Sequence, residues 1–355
     1  MFLPLQYPKG ESSNMSKDAN ELVRLVDEGI EMEQLGHLTE AERAYRQAAD
    51  GGLKLGAFSL GTLFERQDRL DEAIAVYQAL VGQGVSLGAV YLGLLLEDLD
   101  RLEEAEEAYS EGALGGDDRA IRNLGLILEG TGRASEAEQW YRRAIHAGDA
   151  QASYSLAEIQ AEKGDLKAAE ELYRKAIEAG EDLAFVQLGA LLWEQGRVEE
   201  AERLYRQALG SGDRMRAFNY LGHLLSKTNQ LEEAEALYKQ ALNEDVDDVL
   251  VNYGNLLSKQ SERWDEAEQL YRRAIVAGDI DAHNNLGILL EEIGRSQAAE
   301  QAYRAGIAAG DDVARRNFGL LLARLGRQIE AREYLQSAAE SGDVDAILAL
   351  DSLGE

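Results

Sequence analysis

The stretch from Arg119 to Asp149, RAIRNLGLILEGTGRASEAEQWYRRAIHAGD, decides the fold. It holds two apolar patterns of helical spacing with punctuation between them. Ile121, Leu124 and Leu128 recur at intervals of three and four, as do Ala137, Tyr141, Ala144 and Ile145. Gly132-Arg133 is expected to end the first helix, Ser135 to cap the second with Glu138 three residues on, and Gly148-Asp149 to end it. Gly125 and Ala137 put one small residue on each helix, which lets the two backbones approach closely.

Outward from this unit the sequence repeats itself. Aligned on the aromatic of AExxYRxA, Tyr45, Tyr77, Tyr109, Tyr141, Tyr173 and Tyr205 stand 32 residues apart, Tyr238, Tyr271 and Tyr303 follow at 33, 33 and 32, and Leu335 takes the tenth place. An alanine precedes each of these positions by four, from Ala41 to Ala331, without exception. A glycine runs in phase on the first helices, from Gly29 to Gly319, with Ala157 as its one substitute. One such unit cannot bury its own apolar face, so stability must come from stacking.

The LG of the first helix and the A-x-x-x-Y-x-x-A of the second resemble the tetratricopeptide repeat, in ten copies over about Glu21 to Asp343. Two features depart from that pattern. The period is 32 or 33 rather than about 34, and the usual helix-ending proline gives way to Gly-Asp followed by a small residue such as Ala120, Ala152 or Ala282. That junction is similar to Sel-one-like repeats. The resemblance implies an all-α, right-handed superhelical solenoid of about ten helix-turn-helix repeats with a C-terminal capping helix. The expected division is a flexible tail over 1–19, repeats over 20–343, and a capping helix and tail over 344–355. In VDAILALDSLGE, Ala346 and Leu350 match the inward positions while Asp351 takes the glycine place and turns charge to solvent, so a polar cap is expected.

Composition narrows the function classes. Asp and Glu number 66 against 36 Lys and Arg, a formal charge of −30 that repels phosphate backbones and anionic lipid within roughly a Debye length. No nucleic acid and no membrane is expected as partner. Cysteine is absent, which removes disulfides and thiolate metal sites and fits a reducing, cytoplasmic setting. Residues 1–19 mix polar residues, glycine and both prolines without periodicity; Asn14 opens a sequon there, and Met15 offers an alternative start.

No catalytic constellation is found. His37, His146, His223 and His283 fall at different repeat positions, without HExxH, G-x-S-x-G or GxxxxGK[ST], so neither enzyme activity nor a cofactor is expected. Seven Glu-to-Arg or Glu-to-Lys pairs at i and i+4 on second helices, such as Glu138 and Arg142, are expected to stabilise an outer face.

In the family that the sequence resembles, first helices line the concave surface, so positions just before the landmark glycine become candidates. Two residues before it stand Asn123, Asn252, Asn285 and Asn317, amides able to donate to and accept from a peptide backbone as a ladder. Three before it stand Arg122, Arg316, Asn219 and Asn284; the arginines would select carboxylates of an acidic segment or a free C-terminus. Trp193 is a candidate apolar anchor. Phe58, Val90, Leu94 and Ile30 are expected to make the N-terminal stretch of groove apolar. The function so expected is a protein-protein interaction adaptor binding an extended peptide or partner protein. The alternative is a homo-oligomeric structural scaffold formed by self-association through those copies or an uncapped end of the array, with an enzyme or enzyme subunit well behind.

Overall fold

In the computed structural model, residues 17–353 other than Ala150 are described. Among them the chain forms twenty-one α-helices and no strand, ten consecutive pairs followed by a closing helix, Val344–Ser352. Within each of the two units described below, consecutive helices pack against one another, as in a solenoid. The first helix begins at Lys17, so residues 17–19 of the expected tail are helical. The rest of that segment, with Asn14 and Met15, lies outside the described residues, as do residues 354–355.

The chain forms two compact units, Met1–Ala179 and Gly180–Glu355. Repeats one to five make the first and six to ten the second. Both irregular spacings fall in the second unit. The added residue between Tyr205 and Gly222 falls in the junction 209–213, and that between Gly254 and Tyr271 falls in the turn 258–263, where Ser261–Arg263 forms a short 3-10 helix.

Packing explains the columns. All ten alanines from Ala41 to Ala331 are fully buried, and the tyrosines beside them nearly so. Eight of the nine landmark glycines face the tyrosine of their own repeat, and Gly319 faces Leu335: a Cβ on Gly125 would lie 2.5 Å from Tyr141 Cε1, and one on Gly222 would lie 2.2 Å from Tyr238 Cε1. The space that glycine leaves is filled by a ring rather than by the facing alanine. Most tyrosine hydroxyls then reach back to a carboxylate four residues after the glycine. Tyr141 donates to Glu129 at 2.7 Å and Tyr303 to Glu291 at 2.6 Å, while Tyr77 and Tyr109 donate to Glu65 and Glu97.

The expected cap of the quoted unit is corrected. Its second helix runs Ala134–Ala147 with Arg133, not Ser135, at the N-cap, and no side chain caps it. Arg133 instead grips Glu136 through two nitrogens at 2.8 and 2.9 Å, and reaches Glu106 of the preceding repeat. Gly148 closes the helix in the left-handed conformation, as expected.

All seven i, i+4 pairs form. Several of their glutamates also meet the turn arginine of the next repeat. Arg69 binds Glu42, Arg295 binds Glu268 and Arg327 binds Glu300 at 2.6–2.7 Å, each 27 residues on. The outer charges therefore bridge repeats as well as supporting helices.

Candidate peptide-binding face

The solvent-facing side of the first helices carries the positions two before, one after and five after the landmark glycine. Asn123, Asn252, Asn285 and Asn317 are half-buried there. Residues three before the glycine sit differently. Val26, Phe58, Val90 and Val186 are buried at this position, which places it at the seam between neighbouring first helices.

That seam changes how the candidates combine. Asn252 Nδ2 donates to Asn219 Oδ1 at 2.6 Å, and Asn317 Nδ2 donates to Asn284 Oδ1 at 2.8 Å. The amides thus join in diagonal pairs, one residue from each position, across adjacent repeats. Each pair keeps further N–H donors and carbonyl lone pairs beyond that bond. Asn123, in the first unit, lies against the Tyr109 hydroxyl instead, and Asn285 forms no side-chain hydrogen bond among the described residues.

The arginines are already occupied. Arg122 binds Asp149 at 2.6 Å and Arg316 binds Asp343 at 3.0 Å, each pair partly buried. Both aspartates also take a backbone N–H at the start of the following helix, from Gln151 and Ala346. From the seam a guanidinium reaches the next junction before it reaches solvent, so these two arginines tie repeats together.

Phe58 and Val90 are 4% and 3% exposed, so their expected place in an apolar groove is corrected: they are core. Ile30 and Leu94, at 42% and 43%, do face solvent, and Leu126 joins them at the same position, one after the glycine. The two positions lie four apart and so share a stripe, offset by only about 40°, with the earlier one covered by the neighbouring first helix and the later one at the stripe's open edge.

Trp193 stands on Leu183–Glu194, the first helix of repeat six, half-buried. Its ring packs on His223 of Arg214–Lys227, the first helix of repeat seven, with centroids 5.3 Å apart. His223 Nδ1 in turn lies 3.5 Å from Asn252 Oδ1 on Leu250–Leu257, the first helix of repeat eight. Burial holds the His223 imidazole below its ordinary pKa. Trp193, His223, Asn252 and Asn219 thus form one strip. Sequence reading missed His223 as its link; the signal was its place one residue after the glycine, in the column that faces solvent. A second cluster joins Asn317, Ile288, Leu320 and Arg324 around a shallow recess of about 270 Å³. Arg324 there pairs with Glu291 of the preceding repeat, as Arg66 does with Glu33.

Among the described residues no helix is long and apolar enough to cross a membrane. Tetratricopeptide repeat models match residues 26–84, 91–150, 124–184 and 256–314, and a second such model matches 192–259. No curated protein matches the sequence. Among solved structures, a protective antigen of uropathogenic Escherichia coli with an SLR fold is 20% identical, with 96% of this chain and 82% of that one covered at a TM-score of 0.61. Yeast Tom70 is 12% identical, with 95% and 96% covered at 0.56. A Sel1 repeat protein of Oxalobacter formigenes is 25% identical, with 55% and 90% covered at 0.44.

Proposed function

The chain belongs to the tetratricopeptide repeat family, and from that premise we propose that it is an interaction adaptor holding an extended peptide against the solvent-facing side of its first helices. The observation that carries this reading is the pair of interhelical amide pairs, Asn219 with Asn252 and Asn284 with Asn317. Asparagine is a poor helix former, and the two pairs present donors and acceptors at a spacing of two repeats. A backbone laid across them is recognised without regard to its side chains. Asn285 and Trp193 extend that surface within the second unit and Asn123 holds the equivalent position in the first, while Arg122 and Arg316 contribute by fixing junctions, each within its own unit.

The test is selection from a displayed peptide library, comparing wild type with Asn123, Asn252, Asn285 and Asn317 each changed to Ala, after circular dichroism shows equal helicity. Peptides enriched on wild type should lose most of their binding to the variant. Retained binding by the folded variant overturns the ladder.

One feature favours self-association as a second reading. The closing helix buries Ala346, packs Leu350 inward and exposes Asp351 as expected, yet its outer side also carries apolar residues, since Val344 and Leu348 are 66% and 61% exposed. Light scattering on Leu348→Asp tests it: a dimer that this change dissociates supports the scaffold, and a monomer at all concentrations removes it.

A further inference from the structure

The second helices of repeats two and three break two columns that most repeats keep. One after the tyrosine, where the seven ion pairs place their cation, these repeats carry Gln78 and Ser110. From Leu70 to Asp118 the sequence holds one cation, Arg101, and it is engaged by Glu104. One before the tyrosine, Val76, Trp140 and Leu172 of repeats two, four and five pack against the core of the first unit, whereas repeat three has only Ala108 there.

A groove of about 570 Å³ opens at that place, between the second helices Leu70–Gly82 and Leu102–Leu114 and over the first helix Ser86–Asp98. Leu92 and Leu96 floor it, Val81 and Ala108 wall it, and Gly82 adds room, since a Cβ there would meet nothing within 4 Å. Glu107 and Glu111 stand exposed along its rim, and among the described residues neither forms an ion pair or a side-chain hydrogen bond. The following repeat shows what such a space takes. Trp140 stands there in the column of Ala108, and Arg143, in the column of Glu111, lays its guanidinium 5.2 Å from the centroid of that ring.

We propose that this outer groove of repeats two and three docks a basic segment of a partner protein, whose bulky apolar side chain enters the hollow over Ala108 while lysines or arginines beside it meet Glu107 and Glu111. Complementarity of charge argues for that occupant: the rim is acidic and uncompensated, so it attracts a basic segment and repels a second copy of a chain whose formal charge is −30. The apolar floor adds what charge alone lacks, an enclosed place for one anchor residue. Glu107 and Glu111 lie four apart on one helix and so on one face, which lets a single short segment reach both. This surface belongs to second helices, so the inference stands apart from the amide pairs on the first helices.

The probe is a fluorescein-labelled peptide, Lys-Ala-Ala-Arg-Trp-Ala-Lys-Arg-Ala, set against its counterpart with alanine for the tryptophan and against tetralysine of equal charge, with anisotropy as readout. Wild type should bind the tryptophan peptide about tenfold more tightly than either control. Ala108→Leu fills the hollow with the side chain that this column already carries at Leu172, and should abolish that preference. Glu107→Gln with Glu111→Gln, both on the exposed rim and harmless to the core, should weaken the tryptophan peptide by about fivefold. Glu171→Gln with Glu178→Gln, which removes the same charge from repeat five, should leave it within about twofold. Equal affinity for all three peptides, or no binding, overturns the groove, as does binding like wild type by either the glutamine pair or an Ala108→Leu protein of unchanged helicity. A wild-type dimer that Ala108→Leu dissociates in light scattering gives the groove to a second copy and overturns it too.

Discussion

A tyrosine ring laid on a glycine is the contact on which eight of the ten repeats are built, and single substitutions there have calculable outcomes. Gly222→Ala places a methyl 2.2 Å from Tyr238 Cε1, so the ring must move and the variant should lose roughly 1–3 kcal/mol by urea denaturation. The hydroxyls divide into two kinds. Tyr109 donates to Glu97, whereas the buried Tyr205 hydroxyl has no hydrogen-bond partner among the described residues, because Trp193 stands where other repeats place the carboxylate. Tyr109→Phe should therefore cost about 1 kcal/mol, while Tyr205→Phe should be neutral or stabilising. The rings and glycines were legible because each is a column of one residue type. Tyr205's missing partner was not, since it shows only when two columns are read together. Charge follows the same logic at Glu235, whose carboxyl Arg263, and then Lys239, hold down at about 2 against an ordinary 4.5 despite partial burial. A depressed carboxylate stabilises above its unfolded pKa and loses that contribution as pH falls through the folded one. Glu235→Gln should thus be less stable than wild type above pH 5, with the gap closing between about 4.5 and 2. Thermal melts across that range check it.

Between elements, the turn arginines act as hooks. Arg263 holds Glu266 of its own helix and Glu235 of the repeat before, both at 2.7 Å, and is only 20% exposed. Arg101 holds Glu104 alone, because the residue 27 earlier is Ile74, a core side chain. Arg263→Ala should cost about 1 kcal/mol and Arg101→Ala less than half of that, read from urea midpoints. Sequence reading found the i, i+4 pairs because both partners share a helix. It missed the hooks because a separation of 27 or 28 gains meaning only once neighbouring second helices are known to lie side by side. For the same reason Arg122, Arg316, Phe58 and Val90 were assigned to an open face when their shared position is a seam. Helical periodicity says which side chains share a stripe. It does not say which stripe the next helix covers.

At the scale of the molecule, stability in a stack is a sum of near-neighbour terms, so damage at an end should stay near that end. Deleting residues 344–355 uncovers Leu335 and Ala338 of the last repeat, against which Leu350 and Leu353 pack. Amide protection should fall over Asp312–Glu340, while hydrogen exchange within residues 17–179 should remain unchanged. Faster exchange throughout would mean that the array unfolds as one body. The diagonal amide pairs bear on something else, the way such a chain lengthens over generations. Each tyrosine fills the hollow of its own repeat and each hook needs a common Glu and Arg, so most units could be duplicated or lost in a gene without leaving a mismatch. Asn219 needs Asn252, and Asn284 needs Asn317. At those two seams the order of repeats is heritable information, and a copying error that parts either pair leaves a half-buried amide with nothing to bond.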